Sequence, residues 1–172
     1  MVKSVYLGHS GHRVDLLSYA VSNEESTTFM QVDATNRGDT FMVGNDSCAG
    51  CIPAQTTTLN KLISFFKTRA AILKFNTQEA EIKFFSRASA GEFFSDVDVL
   101  MIQMEWVLYP KRFVEFEADR RRVDRFLEFF YQRGYEVYDP RTEQKLSSDW
   151  GSWPFDVMFK KEGLPTDHLF HI

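Results

Sequence analysis

Two stretches of the chain repeat apolar residues with the period of an α-helix. In the first, the apolar positions at i, i+3, i+4 and i+7 are Leu59, Leu62, Ile63 and Phe66. In the second, the same spacing holds for Val123, Phe126, Leu127 and Phe130. The pattern predicts two main helices, over 54–69 and 119–133, and Gly134 is expected to end the second one as a left-handed residue.

Other stretches alternate between apolar and polar residues or are rich in β-branched and aromatic residues, which is typical of strands. The predicted strands are 27–32, 40–43, 72–75, 80–84, 97–107 and 135–138. Turn residues at 36–39 predict that the first two form a hairpin. Together the elements predict an α+β fold, an antiparallel or mixed sheet of about five to seven strands with the two helices packed on one face.

Composition indicates one globular domain over residues 1–172. The chain is 44% hydrophobic and 26% charged, which excludes disordered, collagen-like and coiled-coil proteins. No internal repeat or linker divides it. The segment 147–172 has an irregular pattern but is rich in aromatic residues, so we expect it to pack on the body.

Charge and hydropathy limit the compartment and the class of partner. No apolar run approaches the roughly 20 residues that span a bilayer, and the N-terminal stretch lacks the apolar region of a signal peptide. The formal net charge of −4 gives no electrostatic reason to bind nucleic acid or a membrane. We therefore expect a cytoplasmic protein that associates with neither.

A pair of aspartates is the first candidate site. Asp96 and Asp98 lie at i and i+2 beside the predicted strand 97–107. On a strand this spacing turns both carboxylates to one face, where they could hold a divalent cation. A third carboxylate, from Glu115 or Glu117, would complete a metal site for phosphoryl transfer.

Residues 84–100 around these aspartates resemble the nucleotidyltransferase superfamily, in which a Gly-Ser turn with a following arginine precedes a Ser-Asp-x-Asp strand. The resemblance implies phosphate binding by Ser86 and Mg²⁺ ligation by Asp96 and Asp98. Phe85 stands where the family has the glycine that lets backbone amides approach the triphosphate.

The only two cysteines form a second candidate site, the CxxC motif of Cys48 and Cys51. At the start of a helix, the dipole would lower the thiol pKa and favour redox chemistry, as in thioredoxin-like oxidoreductases. With the HxxH motif of His9 and His12, the same pair supplies four ligands suited to tetrahedral Zn²⁺. A redox pair, a zinc site and two inert cysteines all remain open.

A basic run lies in the second predicted helix, at Arg120, Arg121, Arg122 and Arg125. Acidic residues interleave with it along the same stretch. We therefore predict a solvated helix face with intrahelical ion pairs rather than a phosphate-binding patch.

Adjacent phenylalanines occur in four pairs among the 17 in the chain: 65/66, 84/85, 93/94 and 129/130. Neighbouring residues on a helix or a strand point in different directions, so both members of a pair cannot enter one core face. We expect the segment after Ser147 to cover the outward rings. The alternative is an exposed aromatic interface.

These observations favour a small non-catalytic protein without a cofactor, one that binds a macromolecular partner as an inhibitor, immunity protein or regulator does. The net negative charge favours a basic protein partner, with aromatic side chains as anchors. One alternative is a divergent Mg²⁺-dependent nucleotidyltransferase that uses Ser86, Asp96, Asp98 and Glu115. The other is a zinc- or thiol-dependent module that uses Cys48 and Cys51.

Overall fold

The computed structural model describes residues 17–32, 41–44, 49–65, 70–75, 82, 85, 87–106 and 117–164. The strands in these ranges are β1 (Tyr19–Val21), β2 (Thr27–Gln31), β3 (Phe41–Gly44), β4 (Cys51–Thr57), β5 (Ala70–Phe75), β6 (Asp98–Glu105), β7 (Tyr135–Tyr138) and β8 (Asp156–Lys161). The helices with described bounds are α1 (Leu59–Leu62), α2 (Arg87–Asp96) and α3 (Glu117–Tyr131). Single 3₁₀ turns lie at Ile63–Phe65 and Trp150–Ser152. The α+β class is confirmed.

Sheet A is a mixed four-stranded sheet in the order β1-β4-β2-β3. β1 runs parallel to β4, with Tyr19 opposite Gln55. β2 runs antiparallel to β4, with Phe29 opposite Pro53. β2 and β3 also pair antiparallel, which confirms the pairing predicted for these two strands.

Sheet B is a second mixed sheet, in the order β5-β6-β8-β7. β5 is parallel to β6, whereas β8 is antiparallel to both β6 and β7. The register shifts where Ala71 pairs with Val99 but Ile72 pairs with Met101. This bulge at Leu100 lets Val99 and Ile102, three positions apart, both join the core. The predicted strands thus divide between two sheets, and the segment predicted to be irregular contains β8.

α1 begins at Leu59, whereas the apolar pattern placed its start near residue 54. Residues up to Thr57 extend β4 instead, as β-branched residues favour. The Thr58 hydroxyl caps the helix by accepting a hydrogen bond from the Lys61 amide at 3.3 Å. Leu59 and Leu62 are buried in the core and Ile63 packs against it, so the predicted stripe is confirmed at these three residues. Phe66 lies outside the described residues, and the predicted start of the helix is wrong.

α2 was not predicted. It places Asp96 at its last residue, and the core receives Ala90 and Phe93 from it. The Asn60 side chain of α1 accepts a hydrogen bond from the Phe93 amide at 3.0 Å, which ties the two helices together. Ile82 is helical too, so the strand predicted over 80–84 is wrong at that residue.

α3 matches the second predicted helix. All four stripe residues are buried: Val123, Phe126, Leu127 and Phe130. Gly134 has a φ of +76°, as expected of a glycine that ends a helix. α3 is 15 residues long, and no helix in the described ranges is long and apolar enough to cross a membrane.

The paired phenylalanines pack mainly on one another. Phe85 and Phe129, which the helical stripes left unplaced, are buried. Ring centroids are 5.0 Å apart between Phe85 and Phe75 and 4.9 Å apart between Phe85 and Phe130. Phe94 is half-buried, with its ring centroid 5.4 Å from that of Phe129. Rings from α2, α3 and residue 85 therefore cover these members by packing on one another, whereas the expectation was that the segment after Ser147 would cover them. Phe65 is not covered and remains 50% exposed.

The three tryptophans form a second aromatic group. Their indole N–H groups all donate hydrogen bonds: Trp106 to the Trp150 carbonyl at 2.8 Å, Trp153 to the Ser147 carbonyl at 2.8 Å and Trp150 to the Asp124 carboxylate at 3.2 Å. All three side chains are buried. Because each buried donor has an acceptor, the hydrogen bonds offset the cost of removing these N–H groups from water.

Tyr135 at the start of β7 is a buried tyrosine whose ionisation bears on stability at alkaline pH. Its buried hydroxyl donates a hydrogen bond to the Val99 carbonyl. Burial, followed by the charge of Asp98, raises the pKa of Tyr135 well above its usual range. Unfolded tyrosine ionises near pH 10, so the folded state keeps a proton that the unfolded state loses above that pH. We predict that stability falls as the pH rises from about 10.

Urea unfolding at several alkaline pH values measures this effect. In the wild type, the urea concentration at the unfolding midpoint should fall as the pH rises. Tyr135→Phe is expected to remove the largest share of this fall, because phenylalanine has no proton to lose. Tyr19→Phe is the matched control, since Tyr19 is 51% exposed and should leave the slope as in the wild type. An unchanged slope in Tyr135→Phe would contradict the assignment.

Candidate functional site

The predicted aspartate pair does not share a strand. Asp96 is the last residue of α2 and Asp98 is the first residue of β6, and both side chains are exposed. Asp98 forms an ion pair with Lys161 on β8. The premise that both carboxylates lie on one face of a strand is therefore wrong. Ser86 and Glu115 lie outside the described residues.

Phe85, where the nucleotidyltransferase pattern has glycine, is a core residue. Only 3% of it is exposed, and its ring contacts those of Phe94, Phe126 and Phe129 besides the two named above. Within the described ranges no group of three histidine, cysteine or acidic side chains is placed to hold a metal ion.

Cys51 is disulfide-bonded, and no cysteine in the described residues is free. It is the first residue of β4 and pairs with Gln31 at the end of β2. Gly50 just before it has a φ of +83°, a turn conformation that glycine adopts readily. Sulfur in a disulfide is not a thiolate ligand, so zinc binding here would require the reduced form. His9, His12 and Cys48 lie outside the described residues.

The basic run of α3 lies on its exposed side. Arg120, Arg121, Arg122 and Arg125 are all exposed. An open concavity of about 420 Å³ lies along this side, lined by Arg121, Asp124, Arg125 and Glu128. Two cationic and two anionic side chains leave it without a net charge, so it has no preference for an anionic or a cationic ligand.

The side of sheet B away from the core carries a cluster of charged residues. Glu136 accepts hydrogen bonds from Lys145 and from the Tyr138 hydroxyl, the latter at 2.7 Å. These bonds, that of Lys145 first, lower the pKa of Glu136. The Lys160 ammonium lies 4.8 Å from the centre of the Tyr138 ring, and this lysine is only 7% exposed. Each cation of the cluster thus has a partner, Lys145 in the Glu136 carboxylate and Lys160 in the Tyr138 ring, which gives the cluster a structural role.

The outer face of sheet A is a different kind of surface. We define it by Tyr19, Thr27, Phe29, Pro53 and Gln55, which the strand register places on one side. A hydrogen bond from the Gln55 amide to the Thr27 hydroxyl at 3.1 Å crosses this face. Phe29 is half-buried, and the other four residues are exposed. Apolar and uncharged polar groups thus meet solvent side by side on a paired sheet.

The strands of sheet A contain no Asp, Glu, Lys or Arg in any of their four ranges. Charged residues lie beside the sheet instead. Glu24 and Glu25, in the connection from β1 to β2, are exposed, and Glu25 forms an ion pair with Lys61 at 3.6 Å. The Thr56 hydroxyl fixes this connection by donating to the Glu24 carbonyl at 2.8 Å. The result is an uncharged face bordered by Glu24 and by the Glu25–Lys61 ion pair.

Other exposed apolar side chains flank the sheet. Leu17, two residues before β1, is 42% exposed, and Ile52 on the opposite side of β4 is 52% exposed. Thr28 and Thr56 are buried on the opposite side of the sheet. On the side of Tyr19, Thr57 is buried as well and Val21 packs against the core. The outer face is therefore the exposed part of that side, away from Val21 and Thr57.

Comparison of the chain with protein families, with curated proteins and with solved structures finds no match.

Sequence reasoning did not identify the outer face of sheet A. Its signal is present in the sequence as the absence of charge from the segments 19–21, 27–31, 41–44 and 51–57. That signal becomes visible only when the pairing brings these segments into one sheet, because each one alone is an ordinary short strand.

Proposed function

We propose that this protein is a non-catalytic binding module that recognises a basic protein through the outer face of sheet A. The observation that supports this most is an exposed, uncharged sheet face carrying Tyr19 and Pro53. Exposed apolar surface of this kind is typical of an interface, whose centre is depleted in charged residues. We keep the cytoplasm as the expected compartment.

Most aromatic side chains of the body are occupied in the core and are not available to a partner. Phe85, Phe93 and Phe130 are buried, as are all three tryptophans. Tyr19 is one of the aromatic residues with half or more of its surface exposed. Tyrosine is a frequent hot-spot residue in interfaces because a rigid amphipathic ring gives a large contact at a small entropic cost.

Charge argues for a basic partner. The net charge is −4, and Glu24 and Glu25 lie beside the uncharged face. Because Glu25 is paired with Lys61, the attraction comes from Glu24 and from the net negative charge of the chain. These charges would attract a positively charged protein over long range and would raise the association rate more than the affinity. The uncharged centre would then supply the contact energy.

The nucleotidyltransferase and the zinc module remain predictions, each with its own test. A nucleotidyltransferase that uses Ser86, Asp96, Asp98 and Glu115 should bind Mg²⁺ and a nucleoside triphosphate together. A zinc module of His9, His12, Cys48 and Cys51 should retain stoichiometric Zn²⁺ after purification under reducing conditions.

The binding proposal predicts that Tyr19→Ser weakens partner binding by roughly 2 kcal/mol, or about 30-fold in Kd. Affinity capture with wild-type and Tyr19→Ser baits should identify a basic protein retained by the wild type and depleted on the variant. Titration of that purified protein by calorimetry then measures both dissociation constants. Added salt should slow association, as expected for electrostatic steering.

Tyr131→Ser is the matched control. Tyr131 is 46% exposed at the end of α3. Tyr131→Ser therefore removes a comparable ring that does not belong to sheet A, and it should leave the Kd for the partner unchanged. Equal retention on the wild-type and Tyr19→Ser baits, or a larger loss from Tyr131→Ser, would overturn the proposed face.

A further inference from the structure

The described strands form two sheets with four edge strands, and three of these edges carry a feature that discourages further pairing. Along β7, the Leu146 amide donates a hydrogen bond to the Val137 carbonyl at 2.8 Å and so covers part of the edge. β5 carries the exposed charge of Lys74. The pairing of β3 with β2 is interrupted by a register shift between Phe29 and Met30. The remaining edge is β1.

β1 has none of these protective features. Its three residues, Tyr19, Ala20 and Val21, include no charged side chain and no proline, and aromatic and β-branched residues favour sheet pairing. In the described part of the chain, only β4 pairs with it. A strand edge of this kind is a template for an extended segment of another chain.

The register of β1 shows which of its backbone groups face outward. Val21 pairs with Thr57, and the Ser22 amide donates a hydrogen bond to the Thr57 carbonyl at 2.8 Å. In a parallel pair, this turns the amide and carbonyl groups of Ala20 toward β4 and those of its neighbours Tyr19 and Val21 away from it. Within the described ranges these outward groups make no hydrogen bond. Each of the two residues therefore offers one donor and one acceptor to an added strand.

The contacts of β1 with the rest of the molecule hold this edge in place. The side chain of Val21 packs against the core, and the Thr56 hydroxyl anchors the connection that follows β1 by donating to the Glu24 carbonyl at 2.8 Å. A preformed edge binds a segment at a smaller entropic cost than a mobile one. Since β1 has only three residues, backbone pairing alone would be weak, and contact with the exposed ring of Tyr19 has to contribute.

We propose that the basic partner binds by adding an extended segment to the open edge of β1, which extends sheet A by one strand. The inference rests on the proposed function for the identity of the partner. The backbone of the segment would pair with Tyr19 and Val21, while its side chains on the outer side would contact the Tyr19 ring. A lysine or arginine of the segment placed past Val21 would lie near Glu24, which is exposed.

Charge favours this occupant over a second copy of the chain. Each copy carries a net charge of −4, so two copies repel each other over long range, whereas a basic segment is attracted. Because an open edge can pair with its own copy, the test has to separate the two occupants.

Residue-resolved hydrogen exchange of the full chain, alone and with the basic protein retained by the wild-type bait, tests the inference. The amides of Tyr19 and Val21 should exchange at least about tenfold more slowly in the complex. The Ala20 amide, which already faces β4, is the internal reference and should change less. Protection of Tyr19 and Val21 that instead rises with the concentration of the chain alone would identify a second copy as the occupant and would overturn the inference.

Comparison of Tyr19→Pro with Tyr19→Ser isolates the backbone contribution. Both variants lose the ring, but only proline also lacks the outward N–H group, so the Kd of Tyr19→Pro should be about fivefold higher than that of Tyr19→Ser. The two variants should unfold at the same urea concentration, because this N–H group makes no hydrogen bond to β4. Equal dissociation constants would overturn the backbone pairing.

The same exchange measurement separates this inference from the proposed function. Retention that depends on Tyr19, with protection of the two edge amides, supports both. Retention that depends on Tyr19 without that protection overturns strand addition and leaves the binding face standing.

Where no basic protein is retained, a synthetic peptide serves as the probe. It alternates valine with threonine and carries a lysine at each end, and the same peptide with every amide N-methylated is its control. Protection of Tyr19 and Val21 by this peptide, but not by the control, overturns the proposed function and leaves β1 standing as an acceptor of extended segments. No protection by the peptide overturns strand addition as well.

Discussion

Replacing Phe130 with alanine is expected to lower the free energy of unfolding by about 3–5 kcal/mol. Phe130 is fully buried on α3. Its ring centroid lies 4.9 Å from that of Phe85 and 4.5 Å from that of Phe159 on β8. The ring therefore joins three parts of the chain, and the cavity left by its removal cannot be closed by moving one of them alone.

Urea unfolding followed by circular dichroism measures this loss, and the next residue supplies the control. Tyr131 is on the same helix with 46% of its surface exposed, so Tyr131→Ala should cost about 1 kcal/mol or less. Equal losses for Phe130→Ala and Tyr131→Ala would show that the aromatic cluster is not the main source of stability.

Replacing Trp106 with alanine is expected to cost a similar amount, about 3–5 kcal/mol, and to release the segment before β8. Trp106 is fully buried directly after β6. Its ring centroid lies 4.8 Å from that of Trp153, and its indole N–H donates to the Trp150 carbonyl at 2.8 Å. Both the packing and a buried hydrogen bond are lost together.

Two further variants test this assignment. The first separates the packing of the ring from its hydrogen bond, and the second is the control. Trp106→Phe keeps an aromatic ring but removes the indole donor, so its loss should be smaller than that of Trp106→Ala yet clearly measurable. Phe155→Ala removes a side chain that is 46% exposed in the same region and should cost about 1 kcal/mol or less. A Trp106→Ala protein as stable as Phe155→Ala would contradict the assignment.

Local periodicity predicted α3 well because its four apolar positions form one stripe that meets one core. The same rule placed the centre of α1 correctly but its start wrongly. Thr57 belongs to β4 and Thr58 to the cap of α1. Thr56, Thr57 and Thr58 each carry a hydroxyl that could cap a helix. Only the pairing of β4 with its neighbouring strands therefore decides where the strand ends and the helix begins.

α2 could not be predicted from its own pattern. Its residues offer few large apolar side chains, and the adjacent Phe93 and Phe94 point in different directions. What holds the helix is contact with distant parts of the chain, such as the hydrogen bond from the Phe93 amide to Asn60. Tertiary contacts of this kind are not visible in a local pattern.

Because α2 was not predicted, the geometry predicted for the aspartate pair was wrong as well. The i, i+2 argument for Asp96 and Asp98 holds on a strand but not across the junction between a helix and a strand. In sheet B, the bulge at Leu100 likewise brings both an odd-numbered residue, Val99, and an even-numbered residue, Ile102, into the core. An apolar run such as that of β6 therefore shows that a strand is buried, but not which of its residues face the helices.

The grouping of Trp106, Trp150 and Trp153 has a spectroscopic consequence. These are the only tryptophans of the chain, and all three are buried in the body, with ring contacts from Trp106 to the other two. Intrinsic tryptophan fluorescence therefore reports on the surroundings of β6 and β8, and it is expected to change little when only sheet A unfolds. A probe placed in sheet A, read beside the native emission, would show whether the two parts of the molecule melt together or one after the other.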